Sequence, residues 1–243
     1  KIAEWMNIND SPEIYDSKFL DHQFLNQFQK ETIFNLSQLP GHLIIIGGGS
    51  SGVELAQAHR RLGCHVTLLE KAPIMSQEET ELVDVVRQRL LRDGVRLFEL
   101  SRIERIEPLK EGICVIVDKN GTERAVVGSH LLVAAGRRPN VAGLDLESGG
   151  IKYSENGIQV DARLRTTNKK VFAIGDVVGG YNFTHVAEYQ AGIVIKNALF
   201  RMPSKADYRA VPRVTYTTPE LAQVGVNEDI AKRNGETYRI LRW

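Results

Sequence analysis

Apolar and polar positions fall into blocks along this chain, and the period of the blocks changes in a fixed order. His42 precedes the unbroken apolar run Leu43-Ile44-Ile45-Ile46, which stops at Gly47-Gly48-Gly49-Ser50-Ser51-Gly52. A helical pattern covers 53–62, and a second apolar run over 66–69 ends on Glu70. Short apolar runs bounded by glycine predict strands buried on both faces of a parallel sheet. Ser76-Gln77-Glu78-Glu79 sets an acid three residues after a serine, which predicts an N-cap and a helix over about 78–93. Gly94 is placed to close that helix in the left-handed region, and Val95-Arg96-Leu97-Phe98 follows as a third strand. The sum is β-α-β-α-β, whose parallel strands need right-handed crossovers.

Over 102–128 the period shortens. Ile113, Val115 and Val117 alternate with their neighbours, and Asp118-Lys119-Asn120-Gly121 supplies Asn-Gly turn chemistry, so an antiparallel meander is predicted. A buried strand resumes over 131–135 and ends at Gly136. Further on, Val171-Phe172-Ala173-Ile174 predicts a short strand delivering Gly175-Asp176 to a sharp turn. Residues 186–200 read as a helix with small residues Ala187, Ala191 and Gly192 on its surface. A new β-rich unit begins near 211, with a strand pattern over 238–241. Residues 1–37 match no motif, although Phe24 and Phe28 have helical spacing, and Leu39-Pro40-Gly41 breaks the chain before the first strong strand.

Composition narrows the class. At 243 residues the chain holds one large domain or two smaller units, and 42% hydrophobic with 25% charged residues is an ordinary globular balance. Thirty-one basic against 30 acidic residues give +1, which offers no basic field for nucleic acid or anionic lipid. The longest apolar runs are strand-sized, so no membrane span is expected. The two cysteines, Cys64 and Cys114, form no CxxC or Cys/His cluster; no metal site is expected, and a cytoplasmic location fits. Lys rather than Met at position 1 suggests a piece of a longer chain.

The candidate chemistry lies in the glycines. Gly47, Gly49 and Gly52 are spaced G-x-G-x-x-G between a predicted strand and a predicted helix. In that context the spacing marks a dinucleotide site, because the backbone turns tightly, approaches a pyrophosphate closely, and aims the first helical N–H groups, at Ser50, Ser51 and Gly52, toward the anion. Glu70, about twenty residues on, is placed to accept from the adenosine ribose hydroxyls. Its carboxylate favours free hydroxyls and repels a 2′-phosphate, so NAD is expected over NADP; the alternative is a solvated acid at a strand end.

Six ordered motifs, GGGSSGVELA (47–56), VTLLE (66–70), AGRRPN (135–140), TNKKVFAIGDV (167–177), FTHVAEYQA (183–191) and YTTPELAQVG (216–225), together resemble the pyridine nucleotide–disulfide oxidoreductases. The likeness covers roughly 31–243 and is strongest to dihydrolipoamide dehydrogenase-like and mercuric reductase-like members. It implies an α/β fold with a Rossmann-like NAD(P) domain at 38–140 carrying an inserted meander. The closing part of an FAD domain would follow at 141–210, and an α+β dimerisation domain would begin at 211–243. It also implies that the first FAD glycine motif and a redox-active cysteine pair precede residue 1, and that a catalytic His-Glu pair follows Trp243. By the same resemblance Gly136 and Arg137 touch the nicotinamide half, Asp176 after Gly175 accepts from the flavin ribitol, and Thr184 and Ala187 bring backbone N–H groups to the flavin ring. Glu54 matches a flavin-proximal acid; its alternative role is a favourable interaction with the helix N-terminus. Ser50 stands where some relatives carry an aromatic gate, which implies a more open nicotinamide pocket.

Two functions follow as expectations. In one, the chain is the NAD(H)-binding part of an FAD-dependent homodimeric oxidoreductase that passes a hydride from NADH to flavin. In the other, this chain alone binds NAD(H) or forms dimer contacts without turnover.

Overall fold

A computed structural model describes residues 33–243. The expectations on residues 1–32, including the Phe24/Phe28 spacing, lie outside the described residues. The described chain divides into two compact units, one ending at Gly136 but joined by Pro212–Trp243, the other formed by Arg137–Val211.

The first unit is built on a four-stranded parallel sheet. Its strands are β1 (His42–Ile46), β2 (His65–Leu69), β3 (Arg96–Phe98) and β7 (His130–Val133), in the order β3-β2-β1-β7. Helix α1 (Ser50–Arg61) joins β1 to β2, and α2 (Thr80–Asp93) joins β2 to β3. Every residue of β1 from Leu43 to Ile46 is buried, and successive residues serve different cores. Leu43 and Ile45 pack with Val53, Ala56, Val83, Val86 and Leu90 of the helices, whereas Ile44 and Ile46 pack with Ile103, Val115, Val117 and Val126. That second layer is the meander β4 (Arg102–Pro108), β5 (Ile113–Lys119) and β6 (Thr122–Gly128), antiparallel in chain order. A strand covered on both faces needs apolar side chains at every position, which is why β1 reads as a continuous run. Each such Leu or Ile contributes about 1.5–3 kcal/mol of burial.

The expected turn chemistry is in place. Asn120 and Gly121, between β5 and β6, both have positive φ (56° and 78°), the geometry of a tight hairpin turn. Gly94 closes α2 at φ 87°. Other expectations are corrected. Helix α2 starts at Thr80 with Glu79 extended before it, and the Glu78 N–H bonds to Met75 O at 2.9 Å, so Ser76 lies in a turn and caps nothing. Strand β5 is buried at every position from Ile113 to Val117 rather than alternately.

Residues 212–243 pack with the first unit as the hairpin β10 (Pro212–Thr215) and β11 (Leu221–Val224) and the short helix α4 (Glu228–Arg233); Leu221 enters the helix-side core. Residues 238–241 form no strand. In the second unit the hairpin β8 (Tyr153–Ser154) and β9 (Gly157–Ile158) precedes a 3-10 turn, Gly175–Val178, and helix α3 (Thr184–Ala198). The expected strand over 171–174 is reduced to a single bridge between Arg165 and Phe172. Among the described residues no helix is long and apolar enough to cross a membrane.

Candidate dinucleotide site

The chain leaves β1 toward β2 and β3 on one side and returns to β7 on the other, so the carboxyl end of β1 is the switch point where open α/β sheets bind ligands. Gly47 occupies that end. Its N–H continues the ladder to Leu69 O at 2.9 Å, and its φ is +107°. A Cβ there would meet Ala134 O at 2.6 Å, so neither the torsion nor the space admits a side chain. At Gly52 a Cβ would lie 1.9 Å from Gly47 O, because the first helical turn packs directly on the strand end. Gly49 differs: a Cβ would meet nothing within 4 Å, and the residue is extended (φ −71°, ψ 178°) ahead of α1. No side chain of Gly49 caps the helix, and the opening N–H groups of a helix have no intrahelical acceptor. Gly47 and Gly52 therefore shape the turn, and Gly49 keeps its approach open. Ser50 and Ser51 open the helix beside it.

Glu70 stands at the end of β2. Its Oε2 accepts from Gly48 N–H at 2.6 Å and its Oε1 from Ala72 N–H at 3.0 Å. Gly48, in the unspecified position of the glycine motif, is required here, since a Cβ would press on Ile74 Cγ2 at 2.8 Å and Glu70 Cβ at 3.0 Å. The loop after Glu70 is pinned from below. Glu99 Oε1 accepts from Ile74 N–H at 2.8 Å, and Arg87 grips the same carboxylate through Nε and Nη2 at 2.9 and 3.0 Å. That pair holds the Arg87 guanidinium above its ordinary range, chiefly through the hydrogen bond to Glu99. Neither Gly48 nor the Arg87–Glu99 pair is legible from motif spacing; the sequence signal is only an arginine on the polar face of α2.

Because α1 begins at Ser50, Glu54 lies in its second turn, too far along for the expected interaction with the helix start. Its Oε1 accepts instead from Tyr216 N–H at 2.8 Å. Gly136 follows β7 at φ +93°, and a Cβ there would face open space.

In the second unit Arg137 Nη1 meets Asp176 Oδ2 at 3.2 Å and Asn182 O at 3.4 Å. Both side chains are about half exposed (46% and 52%), so the pair is worth no more than about 1 kcal/mol. Gly175, at φ +72°, donates to Gln190 Oε1 at 2.6 Å, and Gln190 Nε2 donates to Tyr208 Oη at 2.9 Å. A Cβ on Gly175 would lie 3.3 Å from Ala187 Cβ, so Ala187 must be small for the turn to seat on α3. Thr184 opens α3, and the Phe183 and His185 rings stack with centroids 5.2 Å apart. Gln190 was not among the expected residues, although it is buried and carries the turn. Among the described residues no cluster of His, Cys, Asp or Glu is arranged to hold a metal ion.

Known proteins resemble this chain in sequence and fold. The sequence profile of the pyridine nucleotide-disulphide oxidoreductases matches residues 10–191. The chain is 38% identical over 216 residues to dihydrolipoyl dehydrogenase of Geobacillus stearothermophilus, covering 88% of this chain and 46% of that protein. It is 35% identical over 206 residues to mercuric reductase of Lysinibacillus sphaericus, covering 84% and 38%. Among solved structures, the HOCl-induced flavoprotein disulfide reductase RclA from Escherichia coli matches with a TM-score of 0.78 at 33% identity, covering 86% of this chain and 48% of that one. The chain thus spans less than half the length of these relatives. With the profile, the relatives and the fold agreeing, the chain belongs to the pyridine nucleotide-disulphide oxidoreductase family.

Proposed function

We propose that this chain is the NAD(H)-binding portion of an FAD-dependent oxidoreductase in which a hydride passes from NADH to flavin. The observation that carries the reading is the pairing of an open helix start at Gly49 with a carboxylate fixed at the end of the neighbouring strand. The N–H groups of Ser50, Ser51 and Gly52 would take the pyrophosphate, a place where both the unpaired donors and the helix dipole favour an anion. Glu70 spends two of its roughly four lone pairs on Gly48 and Ala72, and the remaining two suit a ribose diol. A 2′-phosphate at that spot would face the carboxylate at a cost on the order of 1–4 kcal/mol, which favours NAD over NADP.

For the flavin, the supporting observation is a buried acceptor, Asn182 Oδ1, that has no hydrogen-bond partner, in the residue whose carbonyl Arg137 contacts. A cofactor rich in hydroxyl and N–H donors fits such a place. Gly175, Asp176 and Thr184 would hold it, with Ala187, whose N–H is bonded to Phe183 O at 3.1 Å, contributing only its small side chain beside Gly175; when bound the flavin supplies the two-electron acceptor. Gly136 and Arg137 are assigned to the nicotinamide half. Glu54 is assigned as the flavin-proximal carboxylate, its rotamer fixed by the Tyr216 N–H. The same reading divides the chain into an NAD domain at 38–140, part of an FAD domain at 141–210 and the start of an interface domain from 211, within a cytoplasmic homodimer.

The test is an equilibrium titration of the chain with NADH and with NADPH. NADH should bind the more tightly; equal or tighter binding of NADPH contradicts the cofactor assignment.

A further inference from the structure

One stripe of α1 carries Ser50, Glu54, Gln57 and Arg61, spaced i, i+4, i+7 and i+11, and all four meet the segment 215–218. Thr215 Oγ1 lies 2.8 Å from Ser50 Oγ, and Tyr216 N–H donates to Glu54 Oε1 at 2.8 Å. Gln57 closes a pincer on Thr218, accepting from its N–H at 2.8 Å and donating to its carbonyl at 3.1 Å. Arg61 Nη1 adds a bond to Thr218 Oγ1 at 2.9 Å. Gln57 and Thr215 are both almost fully buried, at 3% and 2% exposure.

The contact is polar at every rung, its two middle rungs read the backbone of the segment, and its first rung ends on the residue that opens the helix. A hydroxyl has one proton to give and two lone pairs. With Thr215 donating into one lone pair, Ser50 is held in one rotamer and keeps its own proton for an outside acceptor.

We infer that Thr215 is a positioning residue for the dinucleotide: it orients the Ser50 hydroxyl to donate to an anionic oxygen of the coenzyme, while Gln57 holds the 215–218 segment in place. The inference rests on the proposed dinucleotide site. Coenzyme binding and the order of this segment are then coupled, since each sees the other through Ser50.

The test titrates NADH into the whole chain and its variants by calorimetry, with hydrogen exchange at the Tyr216 and Thr218 amides read alongside. Thr215→Val should weaken NADH about ten- to a hundredfold, the factor for one hydrogen bond to a charged group. Thr215→Ser should restore affinity to within about twofold, because it keeps the donor. Ser50→Ala should match Thr215→Val, and the double variant should lose no more than either alone. NADH should slow exchange at both amides in the wild type, and less so in Ser50→Ala, a variant helix propensity favours and which serves even if Thr215→Val fails to fold. Wild-type affinity in Ser50→Ala, full additivity in the double variant, or exchange indifferent to NADH overturns the inference. If the wild type binds no NADH, the dinucleotide reading falls, and the inference falls with it.

Discussion

Glu70 Oε2 accepts the Gly48 backbone hydrogen across 2.6 Å, so the acid at the end of β2 and the glycine turn at the end of β1 form one bonded unit. The turn cannot move without the carboxylate, and the carboxylate cannot rotate without abandoning a backbone donor. On the proposed reading, the acceptor for the ribose is thereby fixed before any ligand arrives, and less ordering is left to be done on binding.

Glu70→Gln tests that unit. The amide oxygen can serve only one of the two backbone donors, and its NH2 is set against the other. The expected loss is about 1–3 kcal/mol of stability, with NADH affinity falling about tenfold. Urea unfolding and an NADH titration measure the two. A variant as stable as the wild type would show that the Gly48 bond is incidental.

Two alanine substitutions separate architecture from recognition. Gly52→Ala forces a methyl to within 1.9 Å of Gly47 O and should destabilise by at least about 3 kcal/mol. Gly49→Ala meets open space at an ordinary φ and should cost no more than about 1 kcal/mol of stability. In the proposed site the same Gly49 methyl would stand in the path of the pyrophosphate, so NADH affinity should drop at least about tenfold. Thermal melts together with titrations check both expectations.

Arg213 lies 3.3 Å from Glu78 with side chains only 15% and 11% exposed, and neither group makes an aligned hydrogen bond with the other. The contact is a buried ion pair with poor geometry. Glu78→Ala leaves the guanidinium uncompensated and should cost about 3–5 kcal/mol. The double change Glu78→Leu with Arg213→Met should recover most of that loss. Denaturant titrations of the three proteins decide whether charge or packing holds the hairpin β10–β11 to the turn before α2.

Asp93, only 11% exposed at its side chain, gathers Gln57, Arg61 and Arg89 at the end of α2. Burial acts to raise its carboxyl, but the hydrogen bonds from Gln57, Arg61 and Arg89 outweigh it and hold the group below its ordinary 3.8. A carboxyl lowered in the folded state stabilises fully above its ordinary value, and the gain is lost as pH falls through the lowered one. Unfolding free energy should therefore be level near neutrality in this respect and decline in acid below about pH 4. Asp93→Asn should flatten that acid limb, as measured by urea unfolding across acid pH. An unchanged limb would assign acid sensitivity elsewhere.

The sheet and the glycine turn were legible because their signals are local. The run 43–46 is apolar at every position, as two-sided burial demands, and the G-x-G-x-x-G pattern lies within six residues, with Gly52 set against Gly47 O five positions back. What sequence misjudged depends on partners far away. The segment 238–241 has the residues of a strand, but a strand forms only against a neighbour; instead Arg242 pairs with Glu81. Ser76 has the spacing of a cap, yet the 75–78 turn and the Asn227 side chain, which donates to Gln77 O at 3.1 Å, delay the helix to Thr80. Gln57 looked like any helical glutamine because its partner Thr218 lies on a distant hairpin loop. Gly48 was passed over because the motif leaves its position unspecified, whereas the packing of Ile74 and Glu70 does not.

The most direct measurement maps backbone amide chemical shifts of the chain during titration with NADH. The largest and saturable changes should fall on Gly49, Ser50, Ser51 and Gly52, with a second group at Gly48 and Ala72 through Glu70. Saturable binding with its changes centred elsewhere, or no change at millimolar NADH, would contradict the dinucleotide site.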